Sequence, residues 1–341
     1  MDKLVSEIKS KFEQASRVAL FTHVSCDCDG IGSMLGLYSF LTENGKNVSL
    51  FCDSDIPARL SFLNGIENIN KDENPSQNSS LKEELKIELD VNFDNFDLLV
   101  SLDTSTASRL GKYQEIFENF ENTINIDHHI SNSNYAKINY VKPYSSCGEV
   151  VYELLKEAGC KIEPNVATCL FAAISSDTNC FTNANISSRT HFCAGELLDL
   201  GADHNLVNLS LHKNKSKNQL RLIAYMAKNL KFYKGITYFY SSLKMLKKLG
   251  VKSNDVSTFM HVICNTAESK INIIIKERGN GEYRLSLRSV GDYDVNRVTK
   301  IFGGGGHKNA GGCVLKGNFK KEFKKLVSEC LAEIKRVDLK P

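Results

Sequence analysis

The chain has 341 residues, enough for two modest domains, and its net charge of +3 is too small to announce a duplex-binding surface. Its 42% hydrophobic and 24% charged content is that of an ordinary globular protein, and no apolar run approaches membrane-spanning length. The N-terminus has no signal-peptide core, and the 11 cysteines are odd in number and scattered, so a cytoplasmic location is expected and a disulfide framework is not.

The first half alternates apolar runs with helical patterns. "RVALFTHV" reads as a buried strand and "GIGSMLGLYSFLTENG" as a helix ending at Gly45. "KNVSLFCD", "FDLLVSLD" and "NTINIDHH" read as further strands, and "EVVYELLKEAG" and "NVATCLFAAISSD" as helices. Residues 71 to 95 are polar and read as a surface loop with a short charged helix. Tyr144, Ser145 and Ser146 are expected to cap a helix. From Ser187 to Phe232 the pattern is helical, and its basic second part reads as a connecting helix. "GITYFYSSL", "ESKINIIIKERG" and "GEYRLSLRSV" are strands, the last two joined by the turn "RGNGE", and "GNFKKEFKKLVSECLAEIKRV" is a closing amphipathic helix. The fold expected is α/β: a doubly wound, mostly parallel sheet over 1–187, a helical linker over 188–232 and a smaller α+β domain over 233–341.

In such sheets functional residues collect just past the carboxyl ends of the strands. His23, Asp27 and Asp29 follow the first strand, and Asp103 ends the third. Asp127, His128 and His129 end the fourth, and Asp177 follows an apolar helix. So many carboxylates at one rim repel each other unless cations lie among them. The mixed oxygen and nitrogen donors favour Mn²⁺, with Mg²⁺ or Fe²⁺ behind it, over structural zinc. Their number suits two cations, which would activate a shared water for displacement at phosphorus. Cys26 and Cys28 are spaced C-x-C, not the C-x-x-C of thioredoxin-type redox motifs, and the aspartates beside them are the better ligands. His191, His204, His212 and His261 lack acidic partners and read as surface or packing residues.

"HVSCDCDGIGS", "SLDTS", "IDHHIS" and "SSDTNCF" together resemble the four motifs of the DHH phosphoesterase superfamily, to which RecJ-type exonucleases belong. "FGGGGHKNAGG" resembles the signature of the DHH-associated C-terminal domain. Their order and spacing are similar to those of stand-alone bacterial oligoribonucleases (nanoRNases) that also dephosphorylate 3′-phosphoadenosine 5′-phosphate (pAp). The resemblance implies that His23, Asp27 and Asp103 hold one Mn²⁺, and that Asp29, Asp103, His128 and Asp177 hold another, with Asp103 bridging. It implies that Asp127 and His129 complete the catalytic group of Asp103, Asp127, His128 and His129, orienting ligands or contacting the phosphate. Relatives carry proline and glycine where this chain has Cys26 and Cys28, which puts the loop geometry in question and makes oxidation-sensitive activity an expectation.

The glycine run Gly303 to Gly306 can bring bare backbone close to an anion, and Arg288 can fork onto a phosphate. By resemblance, Arg288, His307, Gly304, Gly305, Gly306 and, more weakly, Asn296 would grip the substrate's terminal phosphate or base end. The implied activity is a Mn²⁺-dependent hydrolysis of oligoribonucleotides of a few residues, of pAp, or of both. The implied partners are such short nucleotides, with no long duplex, no membrane and dimerisation left open. A cyclic di-AMP or linear dinucleotide phosphodiesterase stays open within the class. An inorganic pyrophosphatase and a nucleic acid-binding module with a decayed site are the rivals outside it.

Overall fold

The structure, a computed structural model, describes residues 2–71, 91–183, 186–213, 215–264 and 266–339. It divides into two units, residues 1–214 and 215–341.

In the N-terminal unit, β1 (Arg17–Thr22), β2 (Asn47–Cys52), β3 (Leu98–Leu102), β4 (Thr123–Asp127) and β5 (Ile138–Val141) form an all-parallel sheet in the order β2-β1-β3-β4-β5. Every residue of β3 and β4 is buried, as is all of β1 except Arg17. Covered on both faces, these strands read as continuous apolar runs rather than alternating ones. The chain passes from β1 outward to β2 and then returns to β3 on the other side of β1. A crevice past the carboxyl ends of β1 and β3 is the usual consequence of that reversal.

The helices of this unit are α1 (Lys3–Gln14), α2 (Cys28–Glu43), α3 (Gln114–Asn119), α4 (Cys147–Glu157), α5 (Pro164–Asp177), α6 (Ser188–Asp199) and α7 (His204–Asn208). Side chains of β1 alternate between faces. Val18 and Leu20 join one core with Ile31 and Leu35 of α2 and Leu170 of α5. Ala19 and Phe21 join another with Phe51, Phe93, Tyr113 and Phe117. The rings of Phe21 and Phe51 stack with centroids 5.3 Å apart. Buried almost all round, α2 needs a close neighbour, and a Cβ at Gly32 would stand 2.7 Å from the carbonyl oxygen of Cys169 in α5.

Most of the polar segment 71–95 lies outside the described residues. Its end departs from the surface reading: Phe93 is buried against Phe21 and Phe51. The capping expectation names the right stretch, since Ser146 Oγ accepts the Glu149 N–H at the start of α4.

In the C-terminal unit, β6 (Lys231–Tyr233), β7 (Ile236–Ser241), β8 (Ile271–Gly279), β9 (Glu282–Ser289), β10 (Gly305–His307) and β11 (Ala310–Lys316) form a mixed sheet in the order β10-β11-β9-β8-β7-β6. Only β7 and β8 run parallel. The helices are α8 (Lys217–Asn229), α9 (Leu243–Leu249), α10 (Ser253–Thr258), α11 (Met260–Cys264), α12 (Val295–Ile301) and α13 (Phe319–Asp338). Helices α12 and α13 cover the face that carries Ile273, Ile275, Leu285 and Leu287. On the other face Ile274 and Phe239 pack with Leu222 and Met226 of α8, the basic helix that reads as a connector in the sequence. Among the described residues no helix is long and apolar enough to cross a membrane.

Candidate metal centre

The acidic and imidazole residues singled out in the first half meet at one edge of the N-terminal sheet. His23 follows β1, Asp27 is the N-cap of α2, and Asp29 sits in that helix's first turn. Asp103 follows β3, Asp127 ends β4 with His128 and His129 behind it, and Asp177 ends α5. They fall into three overlapping groups: His23, Asp27 and Asp103; Asp29, His128 and Asp177; and Asp103, Asp127, His128 and His129. Within each group one donor atom per residue lies within 4.8 Å of the others.

Backbone amides aim several of these side chains. The Asp29 carboxylate accepts the N–H groups of Cys147 (2.7 Å) and Gly148 (3.0 Å) at the start of α4. Asp27 Oδ1 accepts those of Asp29 (3.0 Å) and Gly30 (3.2 Å). Asp103 takes a left-handed backbone, φ 55°, which residues other than glycine seldom adopt, while its N–H donates to Ile126 O at 3.0 Å. Gly30 leaves room at the centre: a Cβ there would overlap Thr22 Oγ1 and stand 3.2 Å from His23 Nε2.

Asp103 lies between two imidazoles. Its Oδ2 is 3.3 Å from His23 Nε2, and its Oδ1 is 3.4 Å from His128 Nε2. His128 Nε2 also lies 3.6 Å from Asp29 Oδ2 and 3.9 Å from Asp177 Oδ2. Separations of this size are too long for good hydrogen bonds. They suit donor atoms arrayed about a common small cation, whose neighbouring ligands at about 2.1 Å stand about 3 Å apart.

Burial pushes the Asp177 carboxyl up to about 6. Burial raises Asp29 as well, and the Asp103 and Asp177 carboxylates add to it. Burial would also raise Asp103, but His128 and His23 outweigh it and hold this carboxyl below the usual range. In return, and against their own burial, His23 is raised to about 10 and His128 to about 11. Asp103 Oδ1 is buried with no hydrogen-bond partner among the described residues. An orphaned buried oxygen costs about 1–3 kcal/mol, which a cation at that point would offset. The donor set, the surplus of carboxylates and this oxygen all fit divalent cations.

Comparison with known families agrees with this geometry. The DHH family N-terminal domain matches residues 17–174, and the DHHA1 domain matches residues 235–333. The chain is built of a DHH domain and a DHHA1 domain. Over 97% of its length it is 29% identical to the bifunctional oligoribonuclease and PAP phosphatase NrnA of Mycoplasma genitalium, covering 98% of that protein. Over 92% of its length it is 27% identical to the protein of the same name from Thermus thermophilus, covering 88% of it. A solved structure of an exopolyphosphatase-related protein from Bacteroides fragilis is 25% identical and superposes with a TM-score of 0.86 over 99% of each chain.

Two neighbours in the DHH domain escape a reading of the sequence. Asn132 Nδ2 donates to Asp127 Oδ2 (2.6 Å) and to Asn125 Oδ1 (2.7 Å). Asp127 Oδ1 takes the Nδ1 proton of His129 at 2.8 Å, which leaves Nε2 as that ring's acceptor. Asn132 stands just past "DHHIS", so its place beside the motif was the available signal. Arg109 brings Nη2 to 2.8 Å from His23 Nδ1, a nitrogen that also faces Val24 O at 3.0 Å. Nothing local marks Arg109, whose contact spans 86 positions of sequence. The histidines read as packing residues include His191, stacked on Phe181, and His204, edge-on to Phe171. Cys28 turns inward and donates to Ala172 O, Cys26 donates to Asp55 O and Cys52 to His23 O, and the neighbouring Cys52 lowers the pKa of the Cys26 thiol.

In the DHHA1 domain the residues assigned to substrate share one end of the sheet. Across β11, Ala310 stands opposite Arg288 on one side and His307 on the other. Gly305 pairs with Gly312 and Gly306 with Gly311, and a Cβ at Gly304 would overlap the Gly312 carbonyl oxygen. Arg288 Nη1 donates to Leu287 O at 2.9 Å. Asn296 lies in the first turn of α12, whose Val295 N–H donates to Lys308 O at 2.8 Å, and its Oδ1 is buried without a hydrogen-bond partner among the described residues.

Proposed function

We propose that this chain is a Mn²⁺-dependent phosphoesterase that hydrolyses short nucleotide substrates, oligoribonucleotides of a few residues and pAp, in the cytoplasm. The observation that carries the reading is the gathering of His23, Asp27, Asp29, Asp103, His128 and Asp177 around the unsatisfied Oδ1 of Asp103. The names of the Mycoplasma genitalium and Thermus thermophilus relatives support the substrate class.

In this reading His23, Asp27 and Asp103 hold one cation and Asp29, Asp103, His128 and Asp177 hold a second. Two divalent cations supply charge neutralisation at phosphorus and a nucleophilic water at neutral pH. The protein's own groups do the rest. Asp127 fixes the tautomer of His129, and Asn132 fixes Asp127, so that His129 Nε2 can accept a proton or a hydrogen bond at the reacting phosphate. Arg288, Asn296 and the glycine strand with His307 hold the substrate's terminal phosphate or base end.

The test is purified protein with Mn²⁺ against pAp, di- to pentaribonucleotides, cyclic di-AMP and pyrophosphate. Turnover of short ribonucleotides and pAp supports the reading. Turnover of cyclic di-AMP alone moves the chain to the cyclic dinucleotide phosphodiesterases, and turnover of pyrophosphate alone overturns the reading.

A further inference from the structure

A second cluster of charge lies on the DHHA1 sheet, adjoining the glycine strand assigned above. Lys276 of β8 stands directly opposite Arg284 of β9, which stands opposite Val314 of β11. Arg278 follows at the register shift between Glu277 and Gly279. Like charges paired across strands repel. Among the described residues no carboxylate forms an ion pair with Arg278 or Arg284, and the nearby Glu282 faces Lys316 at 3.9 Å instead. Lys276 is buried and donates to Ser257 Oγ. Burial, then Arg284 and Arg278, press its amine down to about 8. Three cations against the one carboxylate of Glu282 leave a surplus of positive charge and a place for an anion.

The geometry gives that anion a seat. A groove of about 680 Å³ is lined by Arg278, Arg284, Glu282, Gly304, Gly305 and Gly312 among others. Its floor at Gly304 and Gly312 is bare backbone, where the two chains approach too closely for a side chain. Arg284 and Arg288 lie on one face of β9, four residues and so about 13 Å apart. That distance exceeds a single internucleotide linkage.

We propose that Arg278 and Arg284 form a second phosphate subsite on the DHHA1 domain. It holds the backbone of an oligonucleotide beyond the phosphate assigned to Arg288. The inference rests on the oligonucleotide reading of the preceding section and extends it from substrate class to substrate length. Single strands are commonly held this way, by cations that follow the backbone.

The experiment compares wild type with the double variant Arg278→Ala/Arg284→Ala, with Mn²⁺, on a 5′-phosphorylated diadenylate and pentaadenylate. The double variant is expected to lose about tenfold in kcat/KM on the pentamer, mostly through KM, and to stay within about twofold on the dimer. The salt dependence of the pentamer reaction should flatten by about 1.4 in log–log slope, the share of two phosphate contacts on a single strand. The melting temperature should not fall, because the substitutions remove repulsion. Equal losses on both lengths, or no loss on the pentamer, overturn the subsite. Should wild type turn over neither substrate, the hydrolase reading fails by itself. The subsite is then judged by fluorescence anisotropy of labelled pentaadenylate, where unchanged affinity in the double variant overturns it and a tenfold loss upholds it.

Discussion

His23 Nε2 stands 3.3 Å from Oδ2 of Asp103, while the other oxygen of that carboxylate is buried with no hydrogen-bond partner among the described residues. In the two-cation reading proposed above, Asp103 would be the residue that joins the two positions. Asp103→Asn keeps the shape and removes the charge. It should lower turnover of pAp and dinucleotides with Mn²⁺ by at least about a hundredfold, the upper end of what removing a metal-site partner usually costs. Near-normal turnover would take the shared role away from Asp103.

Gly30 and Gly195 make a matched pair. A Cβ at Gly30 would overlap Thr22 Oγ1 and stand 3.3 Å from Asp103 Oδ2, whereas one at Gly195, inside α6, would meet nothing within 4 Å. Gly30→Ala should cost about 1–3 kcal/mol by overpacking and weaken Mn²⁺ binding. Gly195→Ala should gain about 0.5–1 kcal/mol from backbone entropy and leave Mn²⁺ binding alone. Denaturant melts and Mn²⁺ titrations on the two variants separate these effects. Equal behaviour would mean that the space around His23 is not limiting.

Lys276 makes stability depend on pH in a definite direction. Its folded pKa of about 8 lies below the ordinary 10.5. Below pH 8 the amine is charged in both states, and the folded state carries the full cost of the buried cation. Between 8 and 10.5 the unfolded chain binds more protons than the folded one, so this cost fades as pH rises. Lys276→Met should raise the melting temperature at pH 7, and its advantage over wild type should shrink across that interval. An advantage that is constant with pH would contradict the assignment.

The sequence makes oxidation-sensitive activity an expectation at Cys26 and Cys28, and the structure adds Cys52 as a neighbour of Cys26 whose part in it can be tested. Burial pushes the Cys28 thiol up, out of the reactive range, whereas the neighbouring Cys52 lowers the Cys26 thiol. Hydrogen peroxide should convert those two thiols and one peroxide into one disulfide and two waters. Peptide mapping should find a Cys26–Cys52 link in wild type and in Cys28→Ser, and none in Cys26→Ser or Cys52→Ser. A link through Cys28 would refute the pairing.

The central strands of the N-terminal sheet were legible because burial on both faces makes β1, β3 and β4 continuous apolar runs with the chemistry at their carboxyl ends. The edge strand β5 was not, since four residues with one buried side chain carry little pattern. Helices α9 to α12, five to seven residues each, complete too few turns to show a period. Phe93 sits among aspartates and asparagines and looks like loop. Its burial depends on Phe21 and Phe51, more than forty positions away. The donor residues were readable from their motifs. Arg109 was hidden because its contact with His23 is made only once the loops after β1 and β3 come together.

The most direct measurement is metal content against activity on one preparation. Protein stripped with EDTA should be inactive on 5′-phosphorylated dinucleotides and pAp. Mn²⁺ should restore turnover better than Zn²⁺, saturating at two bound ions per wild-type chain. Full activity after chelation, or recovery with no metal bound at His23, Asp103 and His128, would contradict a cation-centred phosphoesterase.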